Sequence, residues 1–208
     1  MREAYSMDET LPNRIKKGLL NYETSIEETD EHYNELAAYG RYSADAPYGL
    51  KYLLPFWIGS LEREGFNSET FRAEYARITR KLTSLEEKRG IDYREKLLSD
   101  LKRHVDCYPD LIDNFAELEP LLYEIIQDLA IRSTIEILLM ELERDYTLTD
   151  IKEKVSLLDE ALKSKYIQNI DDIIECCPEA ESPLFPARFW WRHPLKLWRE
   201  KQARESNS

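Results

Sequence analysis

The sequence predicts an all-α protein, a multi-helix bundle of about six to eight helices with a C-terminal aromatic-basic arm. Three observations predict it. Apolar residues recur at spacings of three and four along nearly the whole chain, the period of an amphipathic helix. Only six glycines occur in 208 residues, which disfavours a turn-rich β architecture. The stretch from Pro183 to Arg204 then departs from everything before it, gathering three of the four tryptophans and six basic residues against one acid, Glu200.

The elements follow in chain order. Pro12 opens a short helix through Tyr22, since proline suits a first helical turn. Ser25 with Glu28 three positions on reads as a capping box, starting a second helix through Ile26, Tyr33, Leu36 and Ala37 that Gly40 ends. Pro47 leads into a strongly apolar segment in which Pro55 is expected to kink or split the helix. Asn67 or Ser68 caps the next helix, with its seam at Phe71, Tyr75, Ile78, Leu82 and Leu85 and its end at Gly90. Tyr93, Leu97, Leu101 and Val105 form a further seam that stops before Pro109, and the short connection predicts an antiparallel hairpin.

From Asp110 to Tyr146 the apolar residues cover more than one face, the pattern of a central helix packed by several neighbours. Asp150 with Glu153 reads as another capping box, followed by a stripe of Ile151, Val155, Leu158, Leu162 and Tyr166. A short helix from Asn169 to Cys177 closes the acidic body, and PEAESP reads as a hinge. The domain expectation is therefore a helical bundle over 1–180 and a proline-broken arm over 181–208, with a helix from Leu195 to Arg204.

The formal net charge is −12, while residues 183–208 carry +4, so the rest of the chain carries −16. A body of that sign repels nucleic acid and anionic membrane, leaving the arm to meet either. Three cysteines, two of them adjacent, make no disulfide framework, and the N-terminal residues lack an apolar signal core. No stretch has the roughly 18 uninterrupted apolar residues of a membrane span. These features predict a soluble, cytoplasmic protein.

No motif names a reaction. Glu-x-x-His pairs of di-iron bundles are missing, since Thr29, Leu101 and Trp190 precede His32, His104 and His193 by three, and no metal or cofactor is expected. Nucleophile elbow, P-loop and dinucleotide fingerprints are missing too. Cys107 lies three residues after His104 on one helix face, which a buried cysteine beside a helix-end histidine explains without catalysis. Paired carboxylates such as Glu27-Glu28 and Asp171-Asp172 read as solvated helix faces.

Two candidate surfaces remain. The arm supplies Phe185, Phe189, Trp190, Trp191, Arg192, Leu195, Trp198 and Arg199 as partner-binding candidates, because an apolar strip of this size is unfavourable in water. Its counter-surface is, in falling order of preference, its own acidic body, a protein partner, a membrane interface or nucleic acid. A secondary surface is drawn from Tyr39, Tyr42, Tyr48, Tyr52 and Trp57, whose rings alternatively cover the core's edge. The function expected is a non-enzymatic interaction module, an adaptor, accessory subunit or assembly factor, docking on a protein partner or on itself, with peripheral membrane contact by the arm less favoured. Two alternatives are an all-α enzyme or ligand binder with a pocket near Pro55 and Trp57, and a dedicated chaperone for another enzyme.

Overall fold

The computed structural model describes residues 10–36, 43–114, 122–176 and 185–205. Among them the chain is all-α, with no strand. The helices are α1 (Leu11–Glu31), α2 (Tyr48–Arg63), α3 (Glu69–Arg89), α4 (Ile91–Asn114), α5 (Leu122–Leu142), α6 (Thr149–Gln168), α7 (Ile170–Cys176) and α8 (Pro194–Glu205), with 3-10 turns at Tyr33–Glu35 and Trp190–Arg192. The chain divides into two compact units between Leu97 and Leu98, and the arm groups with the second. Ala37, Tyr39, Gly40, Tyr42 and Cys177, with the whole of the expected hinge through Pro183, lie outside the described residues.

In the first unit, α1 is one helix where two were expected. Thr10 stands at its N-cap with Pro12 in the first turn. Ser25 is no cap. Its hydroxyl donates to the Tyr22 carbonyl at 2.8 Å, and Thr29 donates to the Ser25 carbonyl at 2.7 Å, so both hydroxyls are absorbed by the helix backbone. Ile15, Leu19, Tyr22 and Ile26 then form one uninterrupted buried stripe. The helix gives way at Glu31, well before Gly40, to the 3-10 turn that buries Tyr33.

Pro55 neither splits nor ends α2. A proline there removes the N–H that would reach the carbonyl of Lys51, four residues back. The Tyr75 hydroxyl of α3 donates to that carbonyl at 2.8 Å instead. Pro55 itself is exposed, while Leu54, Trp57, Ile58 and Leu61 turn inward. Gly65, at φ 85°, ends α2 with Phe66 N–H on the Leu61 carbonyl and Gly65 N–H on that of Glu62, a Schellman closure. Asn67 Oδ1 accepts the Glu69 N–H at 2.9 Å at the start of α3. Gly90, at φ 56°, ends α3 and lets α4 begin one residue later.

Helices α1, α2 and α3 pack together. Gly18 lets α1 approach α2, for a Cβ at that position would stand 3.0 Å from both Leu54 Cδ2 and Trp57 Cζ3. An ion-pair ladder joins α1 to α3. Arg77 spans Glu23 at 2.7 Å and Glu74 at 2.7 Å, Lys81 meets Glu23 and Glu27, and Lys88 and Arg89 reach Asp30 at 2.8 and 2.9 Å. Such part-exposed pairs each add about 0.2–1 kcal/mol. They act chiefly to fix register between two helices already joined by apolar contact.

In the second unit, α4 continues through Pro109, where it was expected to stop. Buried residues flank the proline on both sides: Leu101, Val105 and Tyr108 before it, Leu111 and Ile112 after it. Burial of that continuous seam outweighs the roughly 3 kcal/mol cost of an interior proline. The expected capping box at Asp150 and Glu153 does not form. Leu148, buried at 5% exposure, occupies the N-cap of α6, and no side chain caps it. The start of α6 is thus set by anchoring an apolar residue. Asn169 ends α6 and its carbonyl accepts the Ile173 N–H at 3.1 Å, carrying the chain into α7. Helix α5 buries Leu129, Arg132, Ser133, Ile135, Ile137, Leu138, Leu139, Glu141 and Leu142, so it is covered on more than one side, as its sequence predicts.

Two expectations follow. Tyr75→Phe should lower unfolding stability by about 1 kcal/mol by orphaning the Lys51 carbonyl, and by markedly less in a Pro55→Ala background, where an alanine N–H supplies the donor. Urea denaturation of the four chains measures this. Hydrogen bonds from Arg77 and Lys81 hold the Glu23 carboxyl down at about 2, and those from Lys88 and Arg89 lower Asp30. Folded values below the unfolded ones mean that this stability is present above about pH 4.5 and is lost as pH falls toward about 2. The urea midpoint should hold steady between about pH 7 and 5 and then drop, and Arg77→Ala should flatten the drop.

Candidate functional site

The site grows from three seams that each carry a polar residue where an apolar one is due. On α4 the seam runs Leu101, Val105, Tyr108, Ile112; on α5 it runs Leu129, Arg132, Ile135; on α6 it runs Val155, Asp159, Leu162, Tyr166. Helix periodicity aims all three polar groups into the interior of the second unit. There Arg132 makes a two-pronged pair with Asp159, Nε to Oδ1 at 2.6 Å and Nη2 to Oδ2 at 2.7 Å. The Tyr108 hydroxyl donates to the same Oδ1 at 2.5 Å. Glu136, one turn along α5, accepts from Arg132 Nη1 at 3.1 Å. Burial pulls the Arg132 guanidinium down, but the bonds and charge of Asp159 outweigh it and hold the group firmly cationic. Burial, with Asp159 beside it, pushes the Tyr108 phenol far above its ordinary value, so it remains a donor.

The arm closes over this cluster. Trp191, 1% exposed, lays its indole against the Arg132 guanidinium, whose carbon stands 4.2 Å from the ring centre. Its N–H donates to Ser133 Oγ at 3.0 Å, and its carbonyl accepts from the Tyr166 hydroxyl at 3.2 Å. Phe189 packs at 5.4 Å between ring centres, and Trp190 meets Trp191 edge-on at 5.6 Å. Arg188 Nε reaches Glu136 at 3.0 Å. A turn closed by the Phe189 N–H on the Pro186 carbonyl precedes the 3-10 turn, and together they set Arg188 on Glu136 and Trp191 on Arg132. Arg192 stands 5.0 Å over the Phe185 ring and donates to Ser133 at 3.3 Å, and burial lowers its guanidinium to about 10. Helix α8 is pinned to α7 by Trp198 Nε1 and Lys201 Nζ, both on Asp171, at 2.9 and 2.6 Å.

Charge supports this seating. Residues 98–182 hold eight Lys and Arg against twenty-one Asp and Glu, whereas residues 1–97 hold fifteen against eighteen. The acidic excess lies in the unit that receives the basic arm. Of the arm residues singled out from sequence, Phe189 and Trp191 are buried, Phe185, Trp190, Arg192, Leu195 and Trp198 are part-exposed, and Arg199 is exposed. Leu197 is buried as well. The first-choice counter-surface, the chain's own acidic body, is where the arm packs.

Among its described residues, the secondary tyrosine surface is divided between interior and edge. Tyr48 is fully buried, donating to Glu86 at 2.5 Å, and Trp57 is buried against Gly18, while Tyr52 is part-exposed. On the side of α1, the Trp57 ring is in close contact with Gly18. His104 Nε2 lies 3.2 Å from Arg103 Nη2, and Cys107 is half-buried on the same helix. Among the described residues, no group of three or more His, Cys, Asp or Glu is placed to hold a metal ion, and no helix is long and apolar enough to cross a membrane.

The sequence reading missed Tyr108, Arg132, Ser133, Glu136, Asp159 and Tyr166 as a cluster. A signal existed: an arginine and an aspartate, each at a seam position of its own helix, are opposite charges that must be buried and must therefore meet. Comparison with protein-family models, with curated proteins and with solved structures found no match.

Asp159→Asn should cost about 3–5 kcal/mol, because it leaves a buried guanidinium half-compensated. Tyr108→Phe should cost about 1.5–3 kcal/mol, the range for a bond to a charged group. Lys154→Ala, which removes an exposed partner of Asp106, should cost under about 1 kcal/mol. Chemical denaturation followed by circular dichroism ranks the three.

Proposed function

We propose that this protein is a non-enzymatic protein-interaction module, an adaptor, accessory subunit or assembly factor, that docks through the outer side of its C-terminal arm. The observation that supports this reading is the division of the arm's large side chains. Phe189, Trp191 and Leu197 turn inward and fix the arm, while Phe185, Trp190, Leu195 and Trp198 keep part of their surface in solvent. Cations stand among them: Lys163 of α6 lies 6.0 Å from the Trp190 ring, and Arg199 projects from α8. Tryptophan and arginine are the residue types that dominate binding energy at protein interfaces. An arm already fixed by its inner face also loses little conformational freedom on docking, which favours affinity. The partner is a protein with a complementary acidic and apolar groove, or a second copy of the chain.

The test separates the two faces of the arm. The full chain and its Trp190→Ala, Arg199→Ala double variant are used to capture cross-linked partners from cells. The variant should keep its melting temperature within about 2 °C and lose partner recovery by about tenfold or more. Equal recovery by both proteins would show that docking lies elsewhere.

A further inference from the structure

The inner face of the arm seats on a polar cluster of the second unit. Every charge in the Tyr108–Asp159–Arg132–Glu136 chain comes from α4, α5 and α6. Arg132 balances one of the two carboxylates, Asp159 and Glu136, so the cluster without the arm keeps one negative charge, and Arg188 of the arm meets it at Glu136. What the arm adds is what a bound peptide adds: one indole over a guanidinium, one N–H to Ser133, one backbone carbonyl to Tyr166, and one arginine to the spare oxygen of Glu136. These contacts come from a run of only four residues, Arg188 to Trp191, which leads into the 3-10 turn at Trp190–Arg192.

We propose that the slot formed by Arg132, Ser133, Glu136, Asp159 and Tyr166 is a peptide-recognition site for segments with arginine three residues before tryptophan, and that residues 185–192 occupy it as a tethered internal ligand. Its occupant in trans is a basic, tryptophan-bearing segment of a partner protein, favoured by the acidic excess of residues 98–182. Glu136 selects the arginine and the Arg132 face selects the indole. The tether keeps the slot filled by the chain's own segment at high effective concentration, so a partner must present its segment multivalently or displace the arm by gripping its outer side.

The experiment cuts the tether after folding. A sequence-specific protease site is placed between Ala180 and Glu181 of the full chain. The folded protein is cleaved and mixed with a fluorescent peptide of residues 185–205, or with the same peptide bearing Trp191→Ala. The wild-type peptide should exchange into the cleaved protein, read by fluorescence anisotropy, and the substituted peptide should bind at least about 100-fold more weakly. Uncleaved protein should take up the wild-type peptide about 10²–10⁴-fold less well. In the uncleaved chain, Trp191→Ala should restore uptake. The proposal is overturned if the two peptides bind alike, if the cleaved arm does not exchange, or if helical signal collapses when the arm departs, which would make the arm part of the core. None of these outcomes bears on partner capture by Trp190 and Arg199, so the two readings stand or fall separately.

Discussion

The second unit depends on one ion pair at the edge of its core. Arg132 is buried at 5% exposure, where an unpaired guanidinium is very costly, and the part-exposed Asp159, at 21%, compensates it. Meeting in a two-pronged geometry, they fix the relative rotation and height of α5 and α6 to within a hydrogen bond's tolerance. Tyr108 extends the same constraint to α4 through its bond to Asp159. The Trp191 indole then lies on the guanidinium face, excluding water from the pair and strengthening it. Arm and core are in this way mutually supportive, and Glu136 shows it most directly by accepting from an arginine of each, Arg132 and Arg188.

The first unit solves a different problem. Its interior is apolar and tyrosine-rich, and its helices are fixed by shape: Gly18 against Trp57, and Tyr75 against the carbonyl that Pro55 leaves open. Charges there sit at the rim as a ladder along α1 and α3, where solvent weakens each pair but the repeated register favours one alignment. The buried Tyr93 hydroxyl donates to the Ala44 carbonyl at 3.0 Å, whereas the buried Tyr33 hydroxyl meets no acceptor among the described residues.

For function, the weight falls on the arm. A strip rich in tryptophan and arginine is expected to be sticky, and the chain resolves this by burying one edge and displaying the other. On the two proposals made above, the displayed edge is the docking face and the polar slot beneath it is the peptide site. The two adjacent indoles divide accordingly, Trp191 buried and Trp190 part-exposed.

The sequence alone determined the all-α class, the seams of α3 through α6, the cap at Gly90, and the apolar-basic character of the arm, because periodicity and glycine chemistry are local properties. It misplaced the helix boundaries at Ser25, Pro109 and Asp150, where a local cap or breaker signal competed with burial supplied by distant residues. At Pro55, where a kink or a split was expected, there is no split: α2 runs through, and Tyr75, twenty residues away, donates to the carbonyl the proline leaves open. Only the tertiary structure decided which tryptophan is inside and which charges meet. Those outcomes depend on the angles at which helices pack, and a linear chain carries that information only as two opposite charges waiting at seam positions for partners it cannot name.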